Sequence, residues 1–197
     1  MVFKGNHKNG EIEIVEPNKI FTNKYADIFN DEVIFPSGTR GTYLRIDNKP
    51  NQSVAVLPIT KEGKIVVIKN FRHGVRGWGV EVPKGAVEAG ESRLCAVNRE
   101  LEEETGYICE KIIHLCEYSE SPAVFSSKID CFIALGCKKT SSAKPEKTEA
   151  IDSVVEISVS DFLNRNYKAD FIDSVSELLV LKYIFMKENA DGNDLLG

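Results

Sequence analysis

Apolar positions along the chain follow two periods, and each period predicts a different element. Residues 11–16 (Glu-Ile-Glu-Ile-Val-Glu) alternate charged and apolar, as a half-exposed strand does. Val33–Phe35 and Thr42–Ile46 predict further short strands, bounded by Pro36-Ser37-Gly38 and Asp47-Asn48. Residues 1–50 are therefore expected to form a small antiparallel β unit. A sheet of that size is marginal alone and has to pack on the main domain or on a second subunit. Lys49-Pro50-Asn51-Gln52 reads as a linker. After it, Ser53–Ile59 and Lys64–Ile68 are β-rich runs flanking Thr60–Gly63, a hairpin signal. A glycine-rich stretch, His73–Gly79, leads into a short strand, Val80–Val82, that ends at Pro83.

The period then changes. Over residues 92–105, Leu94, Val97 and Leu101 fall on one face of a helix, and Gly106 stands where a helix C-cap belongs. Lys111–Tyr118, Lys128–Leu135 and Ser153–Ile157 are strand patterns. The polar, aperiodic run Lys138–Lys147 predicts a mobile loop. Ser158 can cap a short helix, and Ser174-Val175-Ser176-Glu177 has the form of a capping box that opens a longer helix to about Lys187. The tail, 189–197, is expected to fray. Strands interleaved with few helices predict an α+β fold, an α/β/α sandwich with a mixed sheet over residues 51–188, plus the small N-terminal antiparallel β unit.

Composition narrows the class. With 42% hydrophobic and 28% charged residues the chain can bury a sizeable core, and a net charge of -5 argues against a broad nucleic-acid or anionic-membrane surface. Cys95, Cys109, Cys116, Cys131 and Cys137 include no CxxC pair and have no ligand spacing to His7, His73 or His114. They are read as reduced thiols of a cytoplasmic protein rather than a zinc site. The N-terminus lacks the apolar core of a signal peptide, and no apolar run nears the ~20 residues of a membrane span.

The candidate chemistry lies in and around the predicted helix. Glu100 and Glu104 are four residues apart, so their carboxylates project from one face. Glu103 lies beside Glu104, one turn from Arg99, and Glu91 stands just before the helix. Such crowding of like charge calls for a cation, and oxygen ligands without sulfur select a hard one, Mg²⁺ or Mn²⁺. Read alone, an acidic run is usually just a solvated helix face. Arg99 and the flanking Gly85 and Gly90 argue otherwise, since a guanidinium fork can fix a carboxylate and glycine permits close backbone approach.

Gly85, Glu91, Arg99, Glu100, Leu101, Glu103, Glu104 and Gly106 match the Nudix box at every fixed spacing, with Tyr107 at its last bulky position. The segment thus resembles the Nudix hydrolase family. The resemblance implies the Nudix fold and hydrolysis of a nucleoside diphosphate linked to another moiety. It implies that Glu100 and Glu104 are the principal metal ligands, that Glu103 assists, and that the backbone carbonyl of Lys84 is a further ligand. Arg99 would hold a carboxylate, and Glu91 would support the loop–helix geometry. Asn70–His73 with Trp78–Gly85 resembles the run before the box in ADP-ribose pyrophosphatases, which implies that Arg72 and Glu81 bind substrate. Pro122, 16 residues after Gly106, resembles the proline that marks ADP-ribose-cleaving members, although Ala123 follows it where they usually carry glycine. By the same resemblance Glu149, with Glu146 the alternative, is the loop carboxylate that serves as base. Phe71 and Trp78 read as core residues, with adenine stacking the alternative. The resemblance also implies a homodimer in which the N-terminal sheet swaps between subunits.

The leading expectation is a Mg²⁺-dependent hydrolase of a small nucleotide sugar, with ADP-ribose giving AMP and ribose-5-phosphate. The alternatives are GDP-mannose or another sugar nucleotide, and a non-catalytic Nudix module that senses ADP-ribose. No nucleic-acid or membrane partner is expected.

Overall fold

The computed structural model describes residues 3–189. They divide into two compact units. One runs up to Gln52 and includes Ser119–Lys128; the other comprises Ser53–Tyr118 and the chain from Ile129. The expected tail, from residue 190 on, lies outside the described residues.

The first unit is a four-stranded antiparallel sheet of β1 (Glu13–Glu16), β2 (Lys19–Thr22), β3 (Ala26–Ile34) and β4 (Arg40–Asn48). β4 pairs with β3 along its whole length, while β1 and β2 follow one another along the opposite edge. Sequence patterning missed β2 and shortened β3 to its last residues. β2 is exposed at every position, so no alternation marks it. β3 carries Asp31 on its buried side, which breaks the apolar pattern; Arg45 of β4 neutralises that carboxylate at 2.9 Å. Pro122 sits in the turn Ser121–Phe125, where the amides of Val124 and Phe125 donate to the Ser121 carbonyl.

The second unit is a mixed sheet between helices. Its strands are β5 (Gln52–Thr60), β6 (Ile65–Arg72), β7 (Gly77–Glu81), β8 (Lys84–Ala86), β9 (Tyr107–Ile108), β10 (Lys111–Tyr118), β11 (Lys128–Lys139), β12 (Ile151–Ile157) and β13 (Phe171–Ile172). The β13–β7 pairing is parallel. The Thr60–Lys64 turn closes as expected, with Gly63 at φ 77°. The two strands it joins then part after a single residue pair, Ile59–Ile65: β5 goes on to β8 and β11, while β6 goes on to β7 and β12. Side chains alternate faithfully about this sheet. Ala55, Leu57, Val67, Cys131 and Ile133 face a core with Phe162, Leu179 and Val180, whereas Val54, Val56, Val66, Phe132 and Ala134 face Val97 and Leu101. The first core involves α2 (Val159–Leu163) and α3 (Ser174–Asn189), and the second α1 (Arg93–Thr105). This is the expected α/β/α sandwich.

Two local expectations are corrected. Leu94 is 54% exposed, because it lies in the first turn of α1, before the packed stretch that begins at Ala96. The capping box at Ser174 is displaced by one residue. Helix α3 already includes Ser174, and the Asp173 carboxylate accepts from the Ser176 amide at 3.1 Å. A charged acceptor ahead of the first turn outcompetes a hydroxyl within it.

Candidate active site

Helix α1 owes its start to Ser92, whose hydroxyl accepts from the Cys95 amide at 3.2 Å, and its end to Gly106 in the left-handed conformation. Between these caps Val97 and Leu101 are anchored in the core, which draws the neighbouring Glu100 and Glu104 out of water. Glu100 is 6% exposed and Glu104 1%. Two glutamates buried within one turn are costly unless something compensates them.

Arg99 compensates part of this charge. Its Nε and Nη2 grip Glu91 at 3.0 Å each, Nη1 donates to Glu100 at 2.7 Å and to Glu103 at 3.2 Å, and Nη2 also reaches the Ala86 carbonyl at 2.9 Å. The bidentate grip holds the Glu91 carboxyl below its ordinary range. Glu104 receives only a neutral donor there, the Lys84 amide at 2.9 Å. Gly85 completes the cradle. A Cβ there would lie 2.0 Å from a Glu100 carboxylate oxygen, so any side chain would evict Glu100.

Glu149 closes the cluster from the loop before β12. One carboxylate oxygen each from Glu100, Glu104 and Glu149 lies within 4.8 Å of the others. At an effective dielectric of about 20, two charges so close repel by about 3 kcal/mol. Burial first, and the neighbouring carboxylates with it, pushes Glu104 up to about 9 and Glu100 up to about 7 despite Arg99. A proton or a cation is needed to relieve the site. The donors are all oxygen, so the residues fit a hard divalent ion.

The loop carrying Glu149 is less free than its composition suggests. The amides of Thr140 and Ser141 donate to the Gly106 carbonyl at 2.9 and 3.2 Å, and the Lys144 amide donates to the Glu103 carbonyl at 2.7 Å. The alternative base, Glu146, lies in the same turn, where its amide donates to the Glu149 carboxylate at 2.8 Å. It is Glu149, not Glu146, whose carboxylate converges with those of the two helix glutamates.

Arg72 and Glu81, each expected to face substrate, face one another. Arg72 Nε lies 2.8 and 3.0 Å from the two Glu81 oxygens, and Nη2 also donates to Glu81, which is 1% exposed. The Lys84 ammonium joins this network, 3.7 Å from Glu81 and 2.6 Å from Asp173. Burial disfavours the Asp173 charge, but Lys84 and Ser176 outweigh it and hold the carboxyl below its ordinary range. Asp173 was missed in the sequence because 89 residues separate it from Lys84. Its Oδ2 also accepts from the Ser176 hydroxyl, whose oxygen takes the Val82 amide, so the head of α3 braces the strand just before the glutamates. Phe71 and Trp78 meet edge to face at 5.4 Å, with Arg76 and Lys69 over their rings. Pro122 belongs to the other unit.

The chain is similar to several known proteins. The model of the NUDIX domain matches residues 49–178. An ADP-ribose pyrophosphatase of Bacillus subtilis (strain 168) is 29% identical over 181 residues, covering 92% of this chain and 96% of that protein. A methanol dehydrogenase activator of Bacillus methanolicus is 30% identical over 179 residues, with 90% and 95% covered. The ADP compounds hydrolase NudE of Escherichia coli (strain K12) is 29% identical over 123 residues, 62% of this chain and 63% of that one. A crystal structure of an ADP compounds hydrolase superposes with a TM-score of 0.73 over 91% of this chain and 96% of the other, at 21% identity, and so shares the fold.

Proposed function

The chain belongs to the NUDIX domain family and is a Nudix pyrophosphohydrolase, and we propose that it hydrolyses the diphosphate of ADP-ribose to AMP and ribose-5-phosphate with Mg²⁺. The observation that carries the reading is the convergence of Glu100, Glu104 and Glu149 on one point. The likeness to ADP-ribose pyrophosphatase along nearly the whole chain supports the substrate.

In this reading Glu100 and Glu104 hold the ion, assisted by Glu103 and the Lys84 carbonyl, and Mn²⁺ can substitute. When bound, the ion neutralises diphosphate oxygens and lowers the pKa of a coordinated water. Arg99 keeps the glutamates in place. Glu149 takes the proton from the attacking water, and its loop position suits closure on substrate. The Arg72–Glu81 pair engages Nε and Nη2, which leaves Nη1 for a phosphate oxygen. Glu81 acts mainly by orienting Arg72. The role of Pro122 as a substrate contact rests on its spacing from Gly106 alone.

Exposed Ile20, Phe21, Tyr25 and Leu44 on the N-terminal unit support a homodimerisation role for residues 1–50. Among the described residues no helix is long and apolar enough to cross a membrane. The five cysteines carry no disulfide, which supports a cytoplasmic setting.

The test is incubation with Mg²⁺ and a panel of nucleotide sugars, with products identified by mass. AMP plus ribose-5-phosphate from ADP-ribose is expected. Intact ADP-ribose beside GMP and mannose-1-phosphate from GDP-mannose would overturn the substrate assignment.

A further inference from the structure

Four of the five cysteines fall into two couples, Cys116 with Cys131 and Cys109 with Cys137. Cys116 of β10 stands directly opposite Cys131 of β11. A β-bulge between His114 and Cys116 makes this so. Before the bulge, His114 pairs with Phe132, which faces the α1 side of the sheet. The extra residue re-aims the strand, and Cys116 comes to the α3 side, where Cys131 already lies. Directly opposed residues on one face have Cβ atoms about 4.5–5.5 Å apart, close to what a disulfide spans.

The two thiols are unequal. Cys131 is fully buried, whereas Cys116 is half-buried. Cys116 is therefore the thiol that an oxidant can reach, and Cys131 the one it can reach only through Cys116. The Lys182 ammonium of α3 lies 5.7 Å from the centroid of the Tyr118 ring, two residues along β10 from Cys116. The other couple, Cys109 and Cys137, flanks the short β9–β11 ladder on the α1 side. Burial pushes both thiols up, Cys137 to about 12.

We propose that Cys116 and Cys131 are an oxidisable pair that closes a reversible disulfide between β10 and β11 in response to peroxide. Cys116 attacks the O–O bond of hydrogen peroxide, becoming a sulfenic acid as one oxygen leaves as water. The Cys131 sulfur then displaces the sulfenic hydroxyl, forming the S–S bond and releasing a second water. Two electrons and both thiol protons thereby pass from the pair to one peroxide.

The experiment treats the whole protein with a small excess of hydrogen peroxide, blocks remaining thiols, digests without reductant and maps the peptides by mass. The expected product joins the Cys116 and Cys131 peptides, two hydrogens light, reversed by dithiothreitol and formed before any Cys109–Cys137 link. In Cys131→Ser, Cys116 should accumulate as a sulfenic acid trapped by dimedone. The proposal fails if Cys116 and Cys131 remain alkylatable after Cys95 is fully oxidised. It fails equally if the Cys109–Cys137 link forms first, or if Cys116 runs to sulfinic acid without a link.

Discussion

Each unit of the protein contains an arginine gripped by carboxylates, and the two clusters serve different ends. In the N-terminal sheet, Arg45 bonds Asp31 at 2.9 Å, also bonds Asp47, and lies 4.0 Å over the Phe29 ring. One cation faces two anions. In the other unit, Arg99 bonds Glu91, Glu100 and Glu103, while Glu104 and Glu149 crowd against the same point. One cation faces five carboxyl groups, two of them buried and pushed towards neutrality. The parts are the same; the surplus of charge separates a structural brace from a site that awaits a cation.

The contrast is broken most severely by Glu104→Gln. It keeps the shape of the side chain and removes a ligand charge, so turnover should fall by on the order of 10³-fold, the scale set by losing one preorganised electrostatic contact. The unliganded fold should survive. Initial rates at saturating Mg²⁺ check this, and rates like the parent's would refute the metal assignment. Gly85→Ala comes next. Its methyl group must displace Glu100, and activity should drop roughly a hundredfold with weaker metal affinity, a loss of the size seen when groups orienting a metal site are removed. Calorimetric titration with Mn²⁺ reads the affinity directly.

Arg45→Met should do the reverse: leave kcat alone and cost about 3 kcal/mol of stability, because Asp31 stays buried without its partner. A denaturant midpoint unchanged from the parent would show the brace to be dispensable. The smallest effect is a slope. Glu100 and Glu104 are held above the ordinary carboxylate range, at about 7 and about 9. The folded, metal-free chain therefore binds more protons than the unfolded one from about pH 5 upwards, and its stability falls as pH rises through that window. Mg²⁺ should remove the slope by replacing the protons. Thermal unfolding in EDTA and in Mg²⁺ across pH 5–9 would show it, and a flat profile in EDTA would mean that the glutamates are solvated.

What sequence could reveal tracked how locally each feature is encoded. Arg99, Glu100, Glu103 and Glu104 share one helix, so their spacing already fixed their common face, and the caps Ser92 and Gly106 bounded it. Glu149 was suggested by family resemblance, with Glu146 the alternative, because a single acid in a polar loop carries no mark of its own. The mutual pairing of Arg72 and Glu81 was not, because spacing alone cannot distinguish a residue aimed at a ligand from one aimed at its neighbour across the β6–β7 ladder. Asp173 and β13 were invisible for a similar reason. Their meaning lies in contacts with Lys84 and β7, distant in the chain. In the N-terminal sheet β1 and β4 were legible, whereas β2 hid because it is exposed throughout and β3 was shortened because it buries a carboxylate.

The three amide bonds that fasten residues 140–144 to the end of α1 leave only a short tether, 145–148, before Glu149. That tether works as an adjustable arm on a fixed pivot. Lengthening or shortening it by one residue changes the reach of a single carboxylate while the helix glutamates stay where they are. A change of one residue there should therefore move the proposed base while leaving the helix glutamates, and any ion they hold, in place.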